Sequence, residues 1–564
     1  MAIIVRNEEQ TLPKLLKSLE GVKDIVIVDT GSTDKTVDVA TKAGCRVVKT
    51  GDRFQVEATT KNIEDFKKLF GYESSFKAGE KYFHFANARN YAASLTKNDW
   101  VFQPDADEEM SWDLEKVREV IQNEDHLCYR FLYAPGLELE QSKFYRKSKL
   151  RWEKWVHEVL QVIPGQEVKP PKWVDFIRHS HFQQEKETRR GQYLAGLELS
   201  VLENPEDDRN IYYLSREYFY NEEFDKSIKL FDKAIALNTW LPERNQAYVY
   251  QGLAYKGKKE WDKAIECFHK AMIAFDERRE PFWELATLYE EQGQFNRALV
   301  YYMAALAIPF KPQGYLNHTI LYGWKIPDKI AYLSDKLGNK EQAKRYWLEA
   351  IKYNPPKVIM DNGIKWFYQN YPLISIIVPT VRPEGYERLV RSIMQNTSYP
   401  NYEIVKMAGE GTAIEKFNKG VEQAKGELIM FLADDTEVMP CCIDQAFVHL
   451  MEKLNGRGLV ILNEEGWKDR IAHHFLCSKN IREELLDNEI FWHGYFHCGA
   501  DGELSERLKK KNLISYCENA NLIHYHYALA TRGVEPNKKD EWYNLVDEHR
   551  KEDEALLVER LKLI

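Results

Sequence analysis

Ala2-Ile3-Ile4-Val5 and Ile25-Val26-Ile27-Val28 are two short apolar runs, and between them Thr11 to Leu19 carries apolar residues at helical spacing. Lys35 to Ala43 is again helical in pattern, and a later apolar run is Trp100-Val101-Phe102. Strands alternating with helices predict a parallel sheet and an α/β fold. In such a sheet ligands sit beyond the carboxyl ends of the strands. The chemistry of the chain is therefore sought in the residues that follow each run.

The bulk properties narrow the classes. At 564 residues the chain exceeds what one hydrophobic core serves, and about three or four domains are expected. Apolar residues make up 44% and charged residues 30%, as in soluble folded proteins. The net charge of −9 argues against a broad nucleic-acid surface, although a local basic groove stays open. The eight cysteines form no CxxC pair, which predicts buried thiols in a reducing compartment. No apolar run of about 18 residues exists to span a bilayer, and the amino terminus reads as a strand rather than a leader. A cytoplasmic protein is expected.

From about 206 to 355 the pattern becomes one of helix pairs. Ser227, Ala264, Ala298 and Ala343 are small residues, each preceded by another small residue twelve positions earlier, at Ser215, Gly252, Ala286 and Ala331. Alanine follows seven positions later, at Ala234, Ala271, Ala305 and Ala350, and an aromatic four positions later, at Phe231, Phe268, Tyr302 and Trp347. The spacing from Ala264 to Ala298 is 34 residues. This resembles the tetratricopeptide repeat, in which small residues let paired helices approach closely. A chance helical bundle is the competing reading. After Asn354-Pro355-Pro356, the run Ile374 to Pro379 opens a second α/β segment, and Asp547 to Ile564 reads as a charged amphipathic helix suited to packing or dimerisation.

The sharpest local feature is Asp105-Ala106-Asp107-Glu108, directly after the Trp100–Phe102 strand. Two carboxylates at a strand end repel each other if left bare. A divalent cation between them and a diphosphate removes that conflict. Alone, DxD is a weak signal. Three other segments stand with it: Val5-Arg6-Asn7-Glu8-Glu9 after the first strand, Val28-Asp29-Thr30-Gly31-Ser32-Thr33-Asp34 after the second, and Phe85-Ala86-Asn87-Ala88-Arg89-Asn90 opening a helix before the acidic motif.

Together these segments resemble the family-2 glycosyltransferases with their GT-A, Rossmann-like fold, over roughly residues 1–160. The resemblance implies a nucleoside-diphosphate sugar donor, a UDP-sugar first among them, a Mn²⁺ or Mg²⁺ ion, and inversion at the anomeric carbon. Carried onto this chain, it places Val5, Asn7, Glu9, Asp29, Arg89 and Asp105 around the donor and Asp107 on the metal. An Asx-turn role for Asp29 and a surface ion pair for Arg89 are the competing readings. Direct displacement also needs a base for the acceptor's proton. Arg151-Trp152-Glu153-Lys154-Trp155-Val156-His157-Glu158 resembles a Trp-x-x-x-Val-His-Glu segment of repeat-bearing members. It offers Glu158 as base and His157 as metal ligand or proton carrier, against a salt-bridged Glu and a capping His. In Arg178-His179-Ser180-His181, His181 is a further metal candidate, with a hinge histidine as the alternative.

Residues 373–530 resemble a second family-2 domain. Ile376-Ile377-Val378-Pro379-Thr380 matches the first strand, Phe417-Asn418-Lys419-Gly420 the helix before the acidic motif, and Ala433-Asp434-Asp435-Thr436-Glu437 the acidic motif itself. Thr380, Asn418 and Asp434 are its expected donor residues, Asp435 and His524 its metal ligands, and Asp501 of Gly499-Ala500-Asp501-Gly502-Glu503 its base; His526 is a further candidate ligand. Met407-Ala408-Gly409-Glu410-Gly411 stands where the first domain has Asp29-Thr30-Gly31-Ser32, so the nucleobase aspartate is missing: either Glu410 or backbone groups hold the base at a second transferase site, or this domain does not turn over donor. The expected plan is two GT-A domains, 1–190 and 361–530, separated by all-α tetratricopeptide-like repeats over 191–360 and followed by a helical tail over 531–564.

The leading function is metal-dependent sugar transfer to a peptide, protein or glycan acceptor, with homodimerisation through the repeats or the tail as a further expectation. The rival from another class is a repeat-based binding scaffold whose transferase domains are relics. A nucleotidyltransferase would carry a glycine- and arginine-rich phosphate loop after the first strand, and Arg6-Asn7-Glu8-Glu9 is not one.

Overall fold

The computed structural model describes residues 1–134, 137–181, 190–311, 317–368, 371–464, 471–526 and 541–563. It divides into two compact units, Met1–Tyr322 and Gly323–Ile564. The boundary expected at 530/531 and the tail's last residue, Ile564, lie outside the described residues.

The first unit opens with β1 (Ala2–Val5), α1 (Leu12–Ser18), β2 (Val26–Asp29), α2 (Thr36–Lys42) and β3 (Arg46–Lys49). The strands form a parallel sheet in the order β1-β2-β3, with Val5 beside Asp29. Ile3, Val5 and Ile27 pack on one face with Leu12, Leu15 and Phe102, while Ala2, Val26 and Val28 pack on the other with Ala86, Ala88 and Ala92. Burial of both faces is why these strands read as unbroken apolar runs. A ribbon of β4 (Gln55–Glu57) and β5 (Lys81–Phe83) flanks α3 (Thr60–Phe70), and α4 (Phe85–Ser94) leads to β6 (Trp100–Phe102).

Next come β7 (Glu108–Trp112), α5 (Leu114–Val120), β8 (His126–Ala134), β9 (Leu137–Arg146), β10 (Leu150–Glu153), β11 (Val159–Val162), β12 (Lys172–Trp173) and β13 (Ile177–His181). Here the strands run β9-β8-β13-β7, with β6 antiparallel to β9. The antiparallel register of β13 on β7 sets His181 opposite Glu108, next to the acidic motif.

After α6 (Arg190–Glu203) come three antiparallel pairs: α7 (Asp208–Tyr220) with α8 (Phe224–Leu237), α9 (Leu241–Gly257) with α10 (Trp261–Ala274), and α11 (Glu280–Glu291) with α12 (Phe295–Leu306). The small and aromatic positions of the repeat pattern are buried in every pair, among them Ser215, Ser227, Phe231, Ala264, Phe268, Ala298 and Tyr302. At Gly252 a Cβ would lie 2.6 Å from the Phe268 ring, so the small residue is what lets α9 and α10 approach. The unit closes with β14 (Asn317–His318), which pairs with β9.

The second unit starts with a fourth helical pair, α13 (Lys325–Lys336) and α14 (Lys340–Ala350), then α15 (Lys357–Phe367). Its α/β part contains β15 (Ile374–Pro379), α16 (Pro383–Asn396), β16 (Tyr402–Met407), α17 (Ala413–Gln423), β17 (Leu428–Phe431), β18 (Thr436–Val438), α18 (Cys442–Leu454), β19 (Leu459–Glu464), β20 (Phe475–Ser478), α19 (Ala500–Lys510), β21 (Ile514–His524) and α20 (Glu541–Leu561). They build a seven-stranded sheet in the order β16-β15-β17-β20-β19-β21-β18. Among the described residues no helix is long and apolar enough to cross a membrane, and all eight cysteines are free thiols.

Candidate active site

The loops after β1 and β2 are stitched together. Asn7 adopts a left-handed backbone, its side-chain oxygen accepts from the Thr33 N–H at 2.8 Å, and its own N–H donates to Ser32 Oγ at 3.0 Å. Glu9 accepts from the Lys35 N–H at 2.9 Å, and the Val5 carbonyl accepts from both the N–H and hydroxyl of Thr30 at 3.0 Å. Asp29 is buried at the end of β2, with Oδ1 accepting from the Ser32 N–H at 3.0 Å, which closes an Asx-type turn.

The acidic motif lies in a web of charge. Lys143, buried on β9, donates at 2.7 Å to Asp105 Oδ2 and at 2.7 Å to Glu108 Oε1. Arg89, buried on α4, donates to Asp105 Oδ1 at 2.5 Å and also to Glu158. Burial would raise the Asp105 carboxyl, but the Arg89 and Lys143 cations outweigh it and hold the group well below the usual carboxylate range. Glu108 is held a second time by His179, at 2.8 Å. Asp105 is thus paired with both cations while its side chain stays part-exposed. Asp107, the less exposed of the two aspartates, has His181 Nε2 at 3.1 Å from its Oδ2. The hydrogen bond to Asp107 raises the His181 imidazole above its ordinary pKa, against the opposing effect of burial.

The structure thus brings Asp105, Arg89 and Glu158 into one chain of ion pairs, and Asp107 and His181 into a second pair. Arg89 is a buried bridge and not a surface ion pair. His157 goes elsewhere, and the expectation that it joins the metal or carries a proton is corrected. Its ring stacks on Tyr213 of α7, with centroids 4.1 Å apart, and burial together with Arg216 and Arg209 pushes its pKa down to about 3. Among the described residues no third His, Cys, Asp or Glu side chain forms a three-ligand group with Asp107 and His181. A cleft of about 660 Å³, lined by Val56, Ala58, Trp155, Leu199 and Leu202, includes none of the predicted site residues.

In the second unit, Asp434 is consumed by its own scaffold. It accepts from the Val381 N–H at 2.8 Å, the Arg382 N–H at 2.7 Å, Thr380 Oγ1 at 3.1 Å and Arg382 Nη1 at 2.8 Å. Gly385 permits this packing, since a Cβ there would lie 2.2 Å from the Asp434 carbonyl. Asp435 accepts from the Tyr543 hydroxyl of α20 and faces His524 Nε2 at 3.5 Å. The geometry repeats that of the first unit: β18 follows Asp435 and pairs antiparallel with β21, setting Thr436 opposite His524, as β7 and β13 do for Asp107 and His181. Asn418 is turned to the Phe491 carbonyl at 2.7 Å, and Asp501 pairs with His473 Nε2 at 3.1 Å. His526 packs against Tyr543, with ring centroids 5.0 Å apart.

Sequence reading missed Lys143, Glu108, His179, Tyr543 and the cluster Glu464–His474. Lys143 gives no local signal, since only the pairing of β6 with β9 brings its strand alongside the acidic motif. Glu464 and His474 do have one, for each is a polar residue abutting an apolar strand.

Comparison with known proteins agrees with the amino-terminal reading. Residues 1–62 match the Glycosyl transferase family 2 model, and residues 280–311 and 329–357 match the tetratricopeptide repeat model. The chain is 32% identical over 133 residues to an uncharacterized glycosyltransferase of Rickettsia bellii, covering 23% of this chain and 35% of that protein. It is 25% identical over 228 residues to a TPR repeat-containing protein of Synechococcus elongatus, covering 37% of this chain and 49% of that protein. The chain thus spans about a third to a half of the length of these relatives. A crystal structure of MamA is also similar, at 16% identity and a TM-score of 0.25, over 30% of this chain and 91% of that one. The chain carries a family 2 glycosyltransferase domain at its amino terminus and tetratricopeptide repeats farther on.

Proposed function

We propose that the amino-terminal domain transfers a sugar, with inversion, from a nucleoside-diphosphate sugar such as a UDP-sugar to a hydroxyl of a peptide, protein or glycan. One observation carries this reading. Asp107 and His181, far apart in sequence, meet at 3.1 Å at adjoining ends of β7 and β13, beside the acidic motif. A carboxylate and an imidazole on rigid strands suit Mn²⁺, or Mg²⁺ with more of its water retained. When bound, such an ion supplies positive charge to the departing diphosphate.

The remaining roles belong to the chain itself. Asp29 accepts from an N–H of the nucleobase at the end of β2. Arg89 and Lys143 fix Asp105, which sets the backbone that presents Asp107. Glu158, anchored by Arg89, takes the proton of the acceptor hydroxyl as the new bond forms. The repeats hold a polypeptide acceptor in their groove. In the second unit both acidic residues are already engaged, by Thr380 and Arg382 at Asp434 and by Tyr543 at Asp435, which favours a domain that does not turn over donor.

The test is a donor screen that measures Mn²⁺-dependent release of nucleoside diphosphate by the purified chain. Asp107→Ala and His181→Ala are each expected to lower release about a hundredfold or more. Undiminished release from Asp107→Ala contradicts the assignment.

A further inference from the structure

Three neighbouring strands of the second unit end in one cluster. Glu464 closes β19, His474 immediately precedes β20, and His524 closes β21. Strand β19 lies between the other two, antiparallel to β20 and parallel to β21, so all three side chains project from a continuous hydrogen-bonded frame. His474 Nδ1 lies 2.8 Å from Glu464 Oε1, and His524 Nδ1 lies 3.0 Å from Glu464 Oε2. The ligand atoms of the three groups all fall within 4.8 Å of one another, and Glu464 and His474 are buried.

We propose that Glu464, His474 and His524 bind a divalent transition-metal ion of the Zn²⁺ type, with Asp435 as the carboxylate that orients His524. Two imidazole nitrogens and one carboxylate oxygen select a borderline-soft ion over Mg²⁺ or Ca²⁺, and three protein ligands leave a fourth position to water. The second nitrogen of His524 supports the assignment. With Nδ1 on the metal, Nε2 keeps its proton and donates toward Asp435 at 3.5 Å, the carboxylate–histidine–metal relay that fixes tautomer and ring direction. Asp435 is fixed in turn by the Tyr543 hydroxyl. The His474 ring is held flat against Phe431, with centroids 5.7 Å apart and 17° between planes.

The surroundings are electrostatically prepared for a cation. Three carboxylates, Asp435, Glu464 and Asp501, face the three imidazoles of His473, His474 and His524. A metal ion entering there replaces the hydrogen in each Nδ1–Glu464 contact. The site differs from the Asp–His pair of the first unit in using Nδ1 atoms and Glu464, so Asp435 acts behind His524 rather than on the ion.

The full-length chain is stripped with a chelator and titrated with Zn²⁺ by calorimetry and with Co²⁺ by visible absorption. The His181→Ala background removes the amino-terminal pair from the count. One equivalent of Zn²⁺ is expected, along with an intense Co²⁺ d–d band of a four- or five-coordinate ion. Glu464→Gln and His474→Ala are expected to abolish both, and Asp435→Asn to weaken binding about 10- to 100-fold. Absence of a Zn²⁺ equivalent, or an equivalent retained in Glu464→Gln and His474→Ala, overturns the proposal. If His474→Ala does not fold, Glu464→Gln and the Co²⁺ band decide: a weak octahedral spectrum counts against the site.

Discussion

Lys143 shows how much of this site depends on single buried charges. It sits between the part-exposed Asp105 and the buried Glu108, and without it the two carboxylates lose a shared cation. Because Asp105 keeps Arg89 and Glu108 keeps His179, Lys143→Ala is expected to cost about 1–3 kcal/mol, measured by urea unfolding, and to reduce activity by loosening the acidic motif. His181 gives a separate prediction. Its pKa is raised by Asp107, and metal binding needs the neutral imidazole. Mn²⁺ affinity should fall as pH drops through that raised value, and His181→Ala should flatten the profile measured by calorimetry. Asp105 and Asp107 were legible in sequence as a motif, but the division of labour between them was not. Only strand pairing shows that Asp105 is spent on Lys143 and Arg89 while Asp107 turns to His181.

Between elements, the closest contacts set what the chain tolerates. Gly252→Ala would push a methyl group into the Phe268 ring between α9 and α10, with an expected loss of about 1–3 kcal/mol by thermal unfolding. The β11-side loop meets α7 through His157 stacked on Tyr213. In the folded chain His157 has a pKa of about 3, below its ordinary value, so the unfolded chain binds the proton more readily. Stability contributed by the neutral ring is complete above about pH 6.5 and is lost as pH falls toward 3, by up to about 2 kcal/mol at pH 5. His157→Phe should keep the stack and remove that share of the pH 7 to pH 5 difference in urea midpoint. The helix pairs were legible because small and aromatic residues recur at fixed offsets. The outcome for His157 was not, since the segment's likeness to a metal-bearing motif says nothing of where a left-handed residue turns its ring.

At the scale of the molecule, alternating apolar runs and helical stretches predicted both α/β regions, and the repeat offsets predicted the helices between them. The division at Tyr322/Gly323 was not legible, because the fourth helix pair has the repeat pattern yet shares a core with the second sheet through Ala331 and Trp347. Every residue assigned to sugar transfer, from Asp29 to His181, lies within Met1–Tyr322. Residues 1–322 expressed alone should unfold cooperatively and retain donor-dependent release of nucleoside diphosphate, which a truncation assay checks. The central claim rests on the cation held at the end of β7 and β13. Crystals grown with Mn²⁺ and a nucleoside diphosphate, measured at the manganese absorption edge, test it most directly. An anomalous peak between Asp107 and His181, bridging to the diphosphate, is the predicted result; nucleotide bound in the first unit with no such peak would contradict it.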